Sequence, residues 1–247
     1  MENRVKKLLR YFSRTEWTLW MSSVALIAVS FAVFDRENYL TLCSSLIGAT
    51  SLIFNAKGNP IGQALTIIFS ILYGIISYTF EYYGEMITYL GMTMPMAIFA
   101  LISWLRNPYK GNRAQVKVNS LKAKEILLML AAAALITLAF YFILKACGTA
   151  NMIPSTISVT TSFIAVYLTF RRSPLYALGY AANDIVLIVL WILATIEDMT
   201  YLSVVICFAM FLVNDIYGFV NWRKMRKKQA TDATGPVTER TADTPED

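Results

Sequence analysis

In the stretch Tyr176–Trp191, YALGYAANDIVLIVLW, an amide and a carboxylate sit in the middle of a segment otherwise apolar enough to cross a bilayer. An ionised Asp near the membrane centre costs about 2.5–3.5 kcal/mol on insertion scales, so Asp184 has to face a protein interior or a wet cavity. Helical spacing puts Tyr180, Asp184, Leu187 and Trp191 on one face beside Asn183, which describes the wall of a polar, aromatic pocket. Trp191 is also close to the outer interface, so lining and anchoring both stay open for it. A second such stretch is FLVNDIYGFVNW, in which Asn214, Tyr217, Gly218 and Asn221 share a face while Asp215 and Trp222 share another. Asn214 is deep enough to need a partner. Asp215 either joins the site or pairs with the basic run that follows.

These groups can bind and neutralise a solute, but they are poorly equipped to react with one. The chain has no histidine, which removes Ser-His-Asp triads, HExxH zinc motifs and the usual proton-relay imidazole. No catalytic residue is expected, and the protein is not expected to be an enzyme. The acidic pairs Glu81/Glu85 and Glu197/Asp198 read as solvated residues of outer turns. Three cysteines, an odd number without metal-ligand spacing, read as buried unpaired thiols, so neither a metal site nor a cofactor is expected.

The elements that must position these residues are membrane helices. Over 247 residues the chain is 57% hydrophobic and 15% charged, with a mean hydropathy of +0.52, too apolar for a soluble domain. The net charge of +6 sits at the ends and between hydrophobic segments, as topology signals do, so nucleic acid is not an expected partner. Spans are expected at 17–34, 39–55, 60–80, 84–104, 125–146, 153–170, 174–195 and 201–222. Residues 1–16 form a basic amphipathic N-terminus or a plain topology anchor, 106–124 a loop with basic and no acidic residues, and 225–247 a disordered tail. With the N-terminus inside, outer turns carry Asp35, Glu37, Glu81, Glu85, Glu197 and Asp198 against the single base Arg36. The inner ones hold Lys57, the central loop, Arg171, Arg172 and the C-terminal cluster. Both termini are therefore expected in the cytoplasm of a multi-pass protein whose environment is the lipid bilayer.

Setting Pro60 against Pro174 aligns two halves, 39–105 and 152–224, each of three spans. The lone span within 125–151 gives both the same orientation, and the helix of 17–38 is accessory. The expected fold is thus all-α and polytopic, with eight transmembrane helices and a 3+1+3 parallel-repeat core. That is a transporter architecture with its substrate site near mid-membrane at the repeat interface. Phe69 is the approximate counterpart of Asp184, and Gln63, Thr66, Ser70, Tyr73 and Ser77 make a weakly polar stripe around it. Packing or substrate contact would explain Tyr73 equally well. Pro95, mid-span in GMTMPMAIF, should kink its helix and is the candidate gating position. Trp104 and Trp222 read as interfacial anchors.

At AKGNP with Tyr73, at YYGE (Tyr82 to Glu85), at Met94-Pro95, along Trp104 to Asn107, and above all at FLVNDIYGFVNW, the chain resembles the Pnu family of bacterial vitamin transporters, PnuC type. The likeness runs from about Tyr39 to Arg226. It implies a SWEET-like fold, a homotrimer in the bacterial inner membrane, and facilitated diffusion of nicotinamide riboside for pyridine nucleotide biosynthesis, coupled to a cytoplasmic kinase that traps the substrate. Asp184 matches a polar Asn or Asp position of the family, and Asn214 and Tyr217 match its Asn-x-x-Tyr-Gly pattern. Phe69, Ala177 and Tyr180 depart from it at pocket positions, where many members have Asn or Trp.

The expected substrate is therefore a ribosylated, ring-bearing vitamin. Asp184 would balance a pyridinium charge, Tyr180, Tyr73 and Trp191 would contact its ring, and Asn183 and Asn214 would hydrogen-bond ribose or amide, with Tyr217, Gln63 and Phe69 completing the set. Alternatives are a Pnu-type carrier of thiamine or another vitamin or nucleoside, a proton-coupled transporter, and a ligand-sensing membrane subunit.

Overall fold

The structure, a computed structural model, describes residues 11–79, 82–149 and 151–234. Most of the basic N-terminal stretch, Glu81 and the acidic tail from 235 onward lie outside the described residues. Among the described residues, eight helices are long and apolar enough to cross a membrane: α1 Arg14–Phe34, α2 Tyr39–Ala56, α3 Pro60–Thr79, α4 Tyr83–Arg106, α5 Ala123–Ala146, α6 Met152–Phe170, α7 Tyr176–Thr195 and α8 Leu202–Thr234. A short hairpin, β1 Pro108–Tyr109 with β2 Asn112–Val116, occupies the loop between α4 and α5.

Six of the helices close a ring. α2 packs on α3, α3 on α4, α4 on α6, α6 on α7, α7 on α8, and α8 returns to α2. The two triplets α2–α4 and α6–α8 meet twice, each time through the third helix of one and the first of the other. At both junctions a tryptophan of the third helix donates to the penultimate carbonyl of the first. Trp104 Nε1 reaches the Thr169 oxygen at 2.9 Å and Trp222 Nε1 the Asn55 oxygen at 2.8 Å. The C-terminal ends of α2, α4, α6 and α8 therefore gather at one end, and the triplets run parallel. Trp104 and Trp222 are 1% and 0% exposed. The expectation that they anchor in lipid headgroups is corrected, because the backbone carbonyls across the repeat interface supply the indole's partner instead of water.

The turns repeat as well. α2 ends in Gly58 at φ +67° and α6 in Arg172 at φ +57°. In each, the residue after the turn donates back into the helix, Asn59 to the Phe54 carbonyl and Ser173 to the Leu168 carbonyl. This is the 6→1 bond of a left-handed helix stop, which glycine adopts freely and arginine at a cost of about 1–2 kcal/mol.

Outside the ring, α1 packs on α8 and α2, and α5 on α6. A capping box starts α1, with Glu16 N bonded to Ser13 Oγ and Ser13 N to Glu16 Oε2. α5 presents large apolar side chains such as Leu127, Leu128 and Leu135 outward, as expected of a scaffold helix.

The hairpin turns at Lys110 and Gly111, both at positive φ. Tyr109 Oη donates to Asp232 and Gln229 bridges Val116 and Val118, which fastens the hairpin to α8. Those partners explain why α8 continues to Thr234 where the sequence suggested a disordered tail from 225.

Candidate functional site

Between the two triplets lies a narrow cavity with about 40 Å3 of water-accessible space, lined from every helix of the ring except α6. α2 contributes Gly48, Ser51, Leu52 and Asn55; α3 contributes Thr66 and Phe69. Tyr89 and Thr93 enter from α4, Tyr180, Asn183 and Asp184 from α7, and Phe208, Phe211 and Asp215 from α8. Gly48 is needed here, since a Cβ would lie 2.4 Å from the Phe211 ring.

Asp184 and Asp215 are 4% and 3% exposed and lie within hydrogen-bonding reach of each other. Among the described residues, no lysine or arginine lines the cavity. Asp215 lines the cavity, and among the described residues it forms no ion pair with the basic run at 223–228 of α8.

Asn183 is held from α6, where Thr161 and Ser162 donate to its Oδ1 at 2.8 and 3.0 Å. Its amide Nδ2 is thereby turned away from the two hydroxyls. Asn55 accepts from Gln63 Nε2 at 2.8 Å and donates to Thr66 at 3.2 Å, so Gln63 supports the wall without lining it.

Above the cavity, toward the end that carries Asp35, Glu37, Glu197 and Asp198, an aromatic layer closes the ring. Phe69 and Phe211 meet edge to face at 5.6 Å. Trp191 Nε1 donates to Tyr73 Oη at 2.8 Å, tying α7 to α3, and the Trp191 ring packs on Tyr82 and Tyr201. Trp191 and Tyr73 thus face each other across the repeat interface and not the cavity itself. Toward the basic end, Trp104, Tyr176 and Trp222 form a second layer. Beneath it Val116 N and Asn119 N bond the carbonyls of the two turn residues, Gly58 and Arg172.

Besides Gln63, Tyr73 and Trp191, two further expected site residues lie off the cavity. Asn214 Nδ2 bonds Ser23 Oγ at 2.9 Å, and Tyr217 Oη donates to Glu16 Oε1 at 3.1 Å. Both lie on the α8 face against α1, about 100° and 160° around the helix from Asp215, and α1 holds them through Ser23 and Glu16, the latter also paired with Lys57 at 2.9 Å. Glu85 corrects another expectation: it is 1% exposed in the first turn of α4, with Ser158 Oγ at 3.5 Å as its neighbour, and not a solvated turn residue. Cys207 is buried while Cys43 and Cys147 are exposed, so only one thiol fits the buried reading.

Pro95 follows a π-helical segment, Tyr89–Thr93, inside α4, where Met94 N donates to the Tyr89 carbonyl. Proline supplies no N–H to the turn before it, and the wider turn absorbs the mismatch. It also sets Tyr89 and Thr93 on the cavity.

The sequence reading missed Asn55, Ser51, Tyr89 and Phe211. A signal for the first two existed: Thr41, Ser44, Gly48, Ser51 and Asn55 recur at helical spacing along α2, and in the Pro60/Pro174 register Ser155, Ser158, Ser162 and Thr169 answer them on α6. Small polar stripes of this kind mark close helix contacts.

Two curated relatives resemble the chain along most of its length. A nicotinamide riboside transporter PnuC of Neisseria mucosa is 28% identical over 223 residues, 87% of this chain and 84% of that one. The PnuC of Haemophilus influenzae is 22% identical over 214 residues, 85% and 90% of the two chains. A crystal structure of the vitamin B3 transporter PnuC superposes with a TM-score of 0.78 at 26% identity, covering 88% of this chain and 94% of that one. The family model for the nicotinamide mononucleotide transporter matches residues 38–224, which takes in the six-helix ring up to the last turns of α8, and the chain belongs to that family of membrane transporters.

Proposed function

We propose that the protein carries nicotinamide riboside, a vitamin B3 nucleoside, across the bacterial inner membrane by facilitated diffusion. The observation that carries this reading is the cavity's charge: two buried carboxyl groups and, among the described residues, no base. A pyridinium ring brings one positive charge to that site, whereas a mononucleotide brings a phosphate that finds no cation there. The riboside is therefore preferred over the mononucleotide of the family's description. Tyr180 and Tyr89 offer ring faces to the cation, and Asn55, Thr66 and Asn183 offer hydrogen bonds near the ribose and amide.

Ligand pockets run to roughly 300 Å3 and more, so the aromatic layers must part to admit such a solute. Tyr73 and Trp191 serve as the outer closure, Trp104 and Trp222 as the inner one, and Pro95 as the flex point of α4. Both termini and the hairpin lie in the cytoplasm by the charge asymmetry of the turns. A homotrimer and a cytoplasmic kinase that traps the product follow from the family resemblance.

Thiamine, also cationic and aromatic, is the second reading, favoured by the same two carboxyls. A thermal-shift and calorimetric screen of purified protein against nicotinamide riboside, nicotinamide mononucleotide, thiamine, riboflavin and deoxynucleosides decides between them. The riboside should bind most tightly and the mononucleotide least; tighter binding of the mononucleotide would sink the charge argument. Vesicle uptake insensitive to an uncoupler separates this carrier from a proton-coupled one, and flux itself separates it from a sensor.

A further inference from the structure

Two carboxyl groups enter one cavity from neighbouring helices, and no described lysine or arginine accompanies them. Asp184 and Asp215 line the same space and reach each other, while Asp184 Oδ2 receives no N–H or O–H from the described residues. Among the described residues the ion pairs lie toward the basic end: Glu16 with Lys57, Lys110 with Asp232, and Arg171 with Glu125. The other titratable groups that face the pair are weak acids, uncharged at neutral pH. Tyr89 and Tyr180 line the cavity with the pair, while Cys207 and Tyr176 lie in the packed layers on either side of it. Glu85 stands beyond Asn183, behind Ser158.

A carboxylate only accepts hydrogen bonds, so two ionised groups in contact would repel with no counter-charge. Two fully protonated groups would leave a cation no charge to meet. One proton between them satisfies both conditions: the protonated carboxyl donates its O–H to the ionised one, as in other carboxyl dyads.

We propose that Asp184 and Asp215 act as one acid that holds a single proton between them, so that the cavity carries one negative charge and is matched to a solute with one positive charge. This deepens the reading of the site as a receptor for a cationic riboside and rests on it. The charge belongs to the pair and not to either residue. In an Asp184→Asn or an Asp215→Asn variant the remaining carboxyl ionises, and the new amide N–H replaces the lost O–H as its donor. Only the double variant removes the charge.

The test has two arms. Binding is measured for the cationic riboside and for its uncharged dihydropyridine form, which has nearly the same shape. The wild type and both single variants should keep a preference for the cation, and the double variant should lose about tenfold or more of it, the scale of a hydrogen bond to a charged group. A single variant that loses the preference as fully as the double overturns the proposal. Infrared difference spectra at neutral pH, taken without any solute, should show that each single variant lacks one protonated-carboxyl band present in the wild type. No lost band in either variant also overturns it. Should a variant fail to fold, the wild-type spectrum across pH decides, because the pair must titrate in two separated one-proton steps and a single two-proton step refutes sharing. A lost band without any preference for the cation would leave the shared proton standing and reject the riboside as substrate.

Discussion

Trp104 and Trp222 stand ring to ring at 5.4 Å, each donating its indole N–H to a backbone carbonyl of the other's half of the protein. The two carbonyls also accept from their own turns, Asn55 from Gly58 N and Thr169 from Arg172 N, both at 2.9 Å. Replacing either indole with a phenyl ring therefore removes one hydrogen bond without orphaning a buried acceptor. Trp104→Phe and Trp222→Phe should each lower stability by about 0.5–1.5 kcal/mol, and by similar amounts, read as unfolding temperature in detergent. A loss confined to one of them would show that the halves are not held reciprocally.

The Trp191–Tyr73 hydrogen bond ties α7 to α3 at the opposite end, next to Cys207, which packs with Tyr73 and Phe208 beneath that layer. If these rings close the outer path, Tyr73→Phe should loosen it and raise the labelling rate of Cys207 by a small thiol reagent. The measurement uses a background in which the exposed Cys43 and Cys147 are replaced by serine. Unchanged labelling would place the closure elsewhere.

How much of this was legible in the sequence depends on the kind of signal. Span positions, the parallel repeat and the basic and acidic ends were, because hydropathy and charge are properties of whole segments. Asp184 was readable too, since a carboxylate in an apolar run has few explanations. Which face of α8 meets the cavity was not. Asn214 with Tyr217 and Asp215 with Trp222 describe two polar faces of similar appeal, and only the docking of α1 through Glu16 and Ser23 decides between them. Glu85 was misread for the same reason: its place near a span end fits a solvated turn as well as a buried first turn. Trp104 and Trp222 fit an interface by composition, and a partner carbonyl in the other repeat leaves no trace in the local sequence.

The reassigned face of α8 has its own consequence. Tyr217→Phe removes a hydrogen bond to Glu16 at the α1 contact and nothing from the cavity wall, so riboside affinity should stay within about twofold, while stability falls by roughly 1.5–3 kcal/mol, the range for a bond to a charged group. Isothermal titration beside thermal unfolding separates the two. A large loss of affinity with unchanged stability would return Tyr217 to the binding site.

Lys57 provides a related check on why Glu16 can be buried. Among the described residues, Lys57→Met leaves that carboxylate with Tyr217 and its cap, at a cost of about 3 kcal/mol or more for an uncompensated buried charge. Adding Glu16→Gln should recover most of that loss, because the unpaired charge, and not the missing lysine stem, is the cause. Additive losses in the double variant would assign the effect to packing.

Pro95 tests the link between backbone irregularity and the cavity. Alanine at this position would offer its N–H to the Gly91 carbonyl and let the π segment tighten into regular helix, rotating Tyr89 and Thr93 relative to the cavity they line. A proline inside a helix costs about 3 kcal/mol unless the backbone adapts, so Pro95→Ala should leave thermal stability unchanged or higher. Transport should fall all the same, read as uptake of labelled riboside into vesicles, because two wall residues have moved. If uptake matches the wild type while the helix becomes regular, the wide turn only accommodates the proline, and the aromatic wall of α4 contributes nothing to the substrate's path.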